Sequence, residues 1–99
     1  MAAMDAREQV NRMSEEAALL GQSQQSAGIA LADEIWNLAE LGYLEFQSSA
    51  ALQNYLRDND FQVDSDVGGI PTAFVDSYRS NGANAADPVI AILAEFDAL

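Results

Sequence analysis

Six apolar residues in a row, VIAILA at positions 89–94, follow Pro88 and run into two carboxylates, Glu95 and Asp97. A strand with one wet face alternates apolar and polar side chains. An uninterrupted apolar run of this length fits a strand covered on both faces, as in sheets sandwiched between helices. Such a run demands layers of helix and sheet around it. Left at an open edge it is an aggregation hazard. The run stands at the C-terminal end of this sequence, so the expectation is an incomplete sheet and an N-terminal fragment of a larger domain.

The rest of the chain supplies elements for those layers. Val10, Met13, Ala17 and Leu20 recur at helical spacing across residues 5–20. Residues 21–28 (GQSQQSAG) read as a break, since small polar residues and two glycines interrupt the pattern. Ile29, Ala32, Trp36, Ala39 and Tyr43 then repeat at three- and four-residue intervals, widened by Ile35 and Leu38. Asp33, Glu34 and Glu40 lie on the opposite side, and Gly42 is placed as the C-terminal cap. The Trp36 stripe reads as core. Residues 43–46 read as an extended connector. Ser48 or Ser49 is placed as the cap of a third helix that turns Leu52, Tyr55 and Leu56 inward and ends near Asn59. Phe61 and Val63 alternate with polar residues, residues 64–69 are turn-rich, and residues 72–78 alternate as a strand. Residues 80–87 (SNGANAAD) form a loop. The predicted order is three helices followed by three strands, the last being residues 89–94.

Composition narrows the chemistry. Sixteen acidic residues face four basic ones, giving a net charge of −12, and all four bases are arginines: Arg7, Arg12, Arg57 and Arg79. That balance repels phosphate backbones and anionic membrane surfaces, so neither nucleic acid nor membrane is an expected partner. The chain has no histidine and no cysteine. Disulfides, thiolate sites and imidazole chemistry are thereby excluded within this sequence. The N-terminal residues mix charges with apolar residues and lack the apolar core of a signal peptide. No stretch approaches the roughly 18 apolar residues of a membrane span. A cytoplasmic location is the default expectation.

Few residues can carry chemistry. Asp58, Asp60, Asp64 and Asp66 are spaced suggestively for calcium, but neither the glycine nor the glutamate of a calcium loop stands where that motif needs it. A polar turn is the better reading. Gly68 and Gly69 lack the spacing and following helix of a phosphate cradle. Serines are present, but no histidine or lysine is available to activate one. Glu95 and Asp97, two apart in an extended segment, point to one face at the carboxyl end of the expected strand, where α/β sheets gather ligands. Of these, Asp97 is the candidate site residue. The bland alternative is that the chain there merely emerges into water.

Three ordered blocks carry a family resemblance. The first is Ile35-Trp36-Asn37-Leu38-Ala39-Glu40-Leu41-Gly42-Tyr43, continued by Glu45-Phe46 and Ser48-Ser49. The second is Val67-Gly68-Gly69-Ile70-Pro71-Thr72-Ala73-Phe74-Val75. The third is Pro88-Val89-Ile90-Ala91-Ile92-Leu93, ending in Glu95-Phe96-Asp97-Ala98-Leu99. Over roughly residues 29–99 the sequence resembles the N-terminal region of metal-dependent amidohydrolases of the aminoacylase/carboxypeptidase peptidase superfamily, in the p-aminobenzoyl-glutamate hydrolase branch.

The resemblance implies an α/β fold. Residues 1–28 would be an N-terminal helical extension, and residues 29–99 the first part of a zinc-peptidase-like three-layer α/β/α catalytic domain, incomplete here. It further implies amide hydrolysis by a water bound to zinc or manganese, with a glutamate as base. The substrate would be an N-acyl amino acid or a p-aminobenzoyl-glutamate-like amide, and the whole enzyme a homodimer. Relatives often read Gly-His-x-Asp where this chain has Ala94-Glu95-Phe96-Asp97. Glu95 therefore stands in place of a ligating histidine and is not assigned as a ligand. Asp97 matches the aspartate, in a structural role or behind a metal ligand. No metal ligand is assigned, and this chain alone is expected to be inactive. A non-catalytic acidic interaction module, offering residues 89–94 to a partner strand, is the alternative.

The acidity raises one more expectation, adaptation to high salt, where self-repulsion is screened. It predicts a thermal midpoint that rises with KCl up to the molar range. A midpoint indifferent to molar KCl leaves only an ordinary solvated acidic surface.

Overall fold

A computed structural model describes residues 5–98. The elements are helix α1 (Ala6–Leu38), helix α2 (Phe46–Asp58), strand β1 (Gln62–Ser65), a 3-10 turn (Val67–Gly69) and strand β2 (Phe74–Ser77). The strands form one antiparallel pair, with Gln62 opposite Ser77, Val63 opposite Asp76, Asp64 opposite Val75 and Ser65 opposite Phe74. This is a mixed α/β arrangement. The chain divides into two compact units, Met1–Asp33 and Glu34–Leu99.

Several expectations change. The break expected at residues 21–28 is absent: α1 runs through it as one helix of 33 residues. Glutamine and alanine are good helix formers, and each glycine costs only about 1 kcal/mol relative to alanine. A side chain at Gly21 or Gly28 would meet nothing. The stripe along α1 is not core. Val10, Met13 and Ile29 are largely exposed, and Trp36 is 83% exposed. The side chains of Ala17 and Leu20, like Leu99, lie outside the described residues.

Gly42 does not cap this helix. The chain leaves α1 at Ala39, whose φ of 46° is left-handed and whose amide donates to the Ile35 carbonyl. Residues 43–46 are no extended connector. The Leu44 amide donates to the Leu41 carbonyl at 2.9 Å, closing a turn in which Tyr43 holds a positive φ of 66°. The core position expected for Tyr43 is likewise exposed.

Helix α2 begins at Phe46, ahead of the expected serine cap. Ser48 and Ser49 instead lie inside it, both buried. Leu52, Tyr55 and Leu56 are half-buried on its inner side, and α2 packs on both strands. Its end is built by backbone bonds. The Phe61 amide donates to the Leu56 carbonyl at 3.0 Å and the Asp60 amide to the Arg57 carbonyl at 3.1 Å. Asp60 takes the left-handed conformation between them, with φ 68°. These two bonds are those of a Schellman cap, with aspartate where glycine is usual. Asn59 adds a bond from its side-chain amide to the Tyr55 carbonyl at 2.8 Å.

Both early strands are displaced from their expected bounds. Strand β1 extends through Asp64 and Ser65, where the sequence pattern points to a turn. Strand β2 covers only Phe74–Ser77 of the residues 72–78 expected. Val63, Phe74 and Asp76 share the half-covered face, and Val75 and Ser77 face outward. Between the strands, Gly68 and Gly69 hold positive φ values of 66° and 76°. No atom lies near a Cβ built at either, so the backbone conformation, not crowding, accounts for glycine there.

The largest correction concerns residues 89–94. They form no strand, and Val89, Ile90, Ile92 and Leu93 are 86–99% exposed. Burying an aliphatic side chain is worth about 1.5–3 kcal/mol, and none of that is realised here. The two-stranded sheet has neither the width nor the second helical layer to cover such a run. Among the described residues no apolar side chain is buried. The buried ones are Glu45, Ser48, Ser49, Gln53 and Thr72.

Hydrogen bonds hold this unit in place of an oily core. The Ser49 hydroxyl donates to the Thr72 carbonyl at 2.9 Å, and Gln53 Nε2 donates to Ser49 Oγ at 2.9 Å. Gln53 Oε1 accepts from the Ser65 hydroxyl at 2.6 Å and from Arg57 Nη2 at 3.3 Å. Phe61 stacks obliquely on Tyr78 at 5.4 Å, and Phe74 on Phe96 at 5.8 Å. The C-terminal cap of α2 yields a direct prediction. Asp60→Gly relieves the left-handed conformation and raises stability by about 0.5–1 kcal/mol. A urea midpoint unchanged or lowered in this variant would show that the Asp60 side chain matters more than its backbone.

Candidate functional site

The candidate Asp97 sits where three short segments meet within the second unit. Ala98 forms an isolated parallel bridge with Leu41, and its amide donates to the Glu40 carbonyl at 2.7 Å. Asp97 thereby lies beside the turn that follows α1. Its Oδ2 is 3.6 Å from the point where a Cβ on Gly42 would stand, and Glu45 Oε1 is 3.8 Å from the same point. Glycine thus leaves both carboxylates a shared opening, although an added methyl would meet them only at ordinary contact distance. Asp97 itself is exposed, as is Glu95.

Glu45 is the N-cap residue of α2 and is 8% exposed. Its carboxylate does not turn into the helix. It accepts the Tyr43 amide at 3.0 Å and so fixes the turn. Glu40 takes over the capping. Its Oε2 accepts the Gln47 amide at 3.1 Å and its Oε1 the Ser48 amide at 2.6 Å. Those amides have no partner within the helix, and a carboxylate at a helix N-terminus also meets the positive end of the helix dipole.

Partial burial raises the Glu40 carboxyl, but the Ser48 hydroxyl and the amides of Ser48 and Gln47 outweigh it. Together they hold the group below its ordinary value. Ser48 Oγ itself is buried without a well-formed hydrogen bond, so the two backbone amides are the geometric basis of the cap. On β2, burial pushes the Asp76 carboxyl up, offset in part by the Arg57 guanidinium, and its Oδ1 is buried without a partner.

Neither Glu40 nor Glu45 is a candidate on sequence. Glu40 reads there as the solvent side of a helix that in fact ends two residues earlier. The one local signal is Glu45 directly before a helical segment. No spacing rule links Glu40 to amides seven and eight residues on. The four aspartates with a calcium-like spacing are spread over distinct elements: Asp58 ends α2, Asp60 caps it, Asp64 lies in β1 and Asp66 precedes the 3-10 turn. Among the described residues no three histidine, cysteine or acidic side chains are placed to hold a metal ion. No helix of the described residues is long and apolar enough to cross a membrane.

The cap has a pH signature. A carboxylate held below its unfolded value stabilises the fold above that value, and the contribution fades as pH falls through the folded one. Protection of the Gln47 and Ser48 amides from exchange is therefore predicted to be full at neutral pH and to fade through the acid range. Glu40→Gln abolishes that pH dependence. Equal fading in the variant would place its origin elsewhere.

No known family profile matches the chain, and no solved structure matches it. Over 69 residues, 70% of its length, it is 41% identical to the B subunit of p-aminobenzoyl-glutamate hydrolase from Escherichia coli (strain K12). The match spans 13% of that relative. Over most of its length this chain is therefore similar to a short segment of a p-aminobenzoyl-glutamate hydrolase.

Proposed function

We propose that the chain is part of a metal-dependent amidohydrolase whose substrate is an N-acyl amino acid or a p-aminobenzoyl-glutamate-like amide. One observation carries the reading, the 41% identity over 69 residues to a hydrolase whose name states such a substrate. Homodimeric assembly belongs to the same proposal and rests on the family resemblance alone, and a cytoplasmic location is kept as the default expectation.

The zinc or manganese ion that the family implies does not fit the residues present. The sequence holds no histidine or cysteine, and among the described residues no three acidic side chains are placed to hold a metal ion. Carboxylates alone make a poor zinc site. No hydrolytic step is therefore routed through these side chains. Their part is scaffold. The turn at residues 41–44 lies beside Asp97, which on this reading would belong to the surroundings of the completed site.

A second reading is a non-catalytic acidic interaction module, favoured by the exposed apolar side chains at 89–93. One experiment separates the two. The Escherichia coli hydrolase is expressed without its matched segment, mixed with this chain, and assayed for p-aminobenzoyl-glutamate hydrolysis with zinc or manganese. Hydrolysis is expected in the mixture and in neither component alone. A chain that stays soluble and monomeric and restores no hydrolysis would overturn the hydrolase reading in favour of the module.

A further inference from the structure

Glu40 is engaged at both its ends, and the two engagements point to different parts of the unit. Its carboxylate takes the two first-turn amides of α2, at 3.1 Å from Gln47 and 2.6 Å from Ser48. Its backbone carbonyl takes the Ala98 amide at 2.7 Å. The next residue, Leu41, pairs with Ala98 in a parallel bridge. One residue thus joins the start of a helix to the segment carrying the site aspartate.

We propose that Glu40 is a positioning residue for Asp97, fixing the 97–98 segment by anchoring its own backbone to the amino end of α2. The proposal rests on the reading of Asp97 as a site residue, and its physical part stands apart from any reaction. The logic is mechanical. Residues 39–44 leave a helix through a left-handed alanine and close a turn at a left-handed tyrosine. Non-glycine residues adopt that conformation only where their surroundings enforce it. Two charge-assisted hydrogen bonds from α2 to Glu40, and one from the Tyr43 amide to Glu45, supply that enforcement. The carbonyl that receives Ala98 belongs to the same anchored residue. The bridge at Ala98 is isolated, with no strand on either side to share the restraint. Releasing the Glu40 side chain therefore releases the carbonyl, and with it the backbone next to Asp97. Phe96, stacked on Phe74 at 5.8 Å, holds the segment from its other side.

The test is amide hydrogen exchange by NMR on the whole chain, with the Asp97 carboxyl carbon shift as a spectroscopic readout. In Glu40→Ala the Ala98 amide is expected to exchange at least tenfold faster, and the Asp97 carboxyl signal to move. The Val67 and Phe61 amides, bonded to Ala73 and Leu56, keep their rates. Glu40→Gln retains one acceptor oxygen and restores part of the Ala98 protection. If Gln47 and Ser48 lose protection while Ala98 and the Asp97 signal stay unchanged, the cap is purely local and the proposal is overturned. Should the alanine variant unfold, so that Val67 and Phe61 accelerate equally, the glutamine variant decides. Faster exchange at Ala98 with Val67 and Phe61 intact supports the coupling, and an unaltered Ala98 refutes it. No substrate enters the measurement, so failure of the hydrolase reading and failure of this one are separately visible.

Discussion

The bond between Ser49 and the Thr72 carbonyl, extended through Gln53 to Ser65, is the constraint on which the second unit depends. Among the described residues this unit fully buries no apolar side chain, and the half-buried Leu52, Tyr55 and Leu56 do not by themselves give α2 a unique direction on the strands. Direction comes from polar groups that must find partners once water is excluded. Gln53 uses both ends of its amide, donating to Ser49 within its own helix and accepting from Ser65 on β1, and a neutral amide can do so without the desolvation penalty of a charge. Each such bond contributes only about 0.5–1.5 kcal/mol net, but leaving one end unpaired costs about 1–3 kcal/mol. The lattice therefore specifies geometry more than it adds stability. Asp76 is the contrary case, a half-buried carboxylate whose Oδ1 has no partner and whose neighbour Arg57 offsets its burial only in part.

The same logic runs through the candidate site. Glu40, Glu45 and Asp97 bring three negative charges to one short turn of a chain already at −12. Unrelieved, they would repel. Two of them are committed to backbone amides, Glu40 to the start of α2 and Glu45 to Tyr43. Asp97 alone stays exposed. The arrangement converts two acids into structure and leaves one for solvent or a ligand.

Residues with strong local signals are the ones that sequence patterns place well. Phe46–Asp58 falls near its expected helix, and the change of period after Phe61 marks the start of a hairpin, because both signals are read over a few consecutive side chains. Boundaries fail where a distant partner decides. The serines expected as caps are drawn into α2 because Glu40 occupies the capping role from seven and eight residues upstream. The break at 21–28 fails for the opposite reason. Its polarity suggests a loop, but glutamine and alanine hold a helix against two glycines. Trp36 and the run at 89–94 read as core from apolarity alone, and apolarity states a preference for burial without supplying the surface that provides it.

What the sequence determined by itself is a matter of residue type. Within these residues it excludes imidazole and thiolate chemistry, fixes a strongly acidic character, and carries a similarity to a segment of a p-aminobenzoyl-glutamate hydrolase. Tertiary structure alone decided which acids serve the fold and which one faces outward. It set Glu40 on the helix amides, Glu45 on the turn and Asp97 over Gly42, and it left the apolar run uncovered. The physical reason is range. Propensity and periodicity act over a single turn or strand, whereas the bond from Ala98 to Glu40 joins groups that approach only when the intervening chain has folded back.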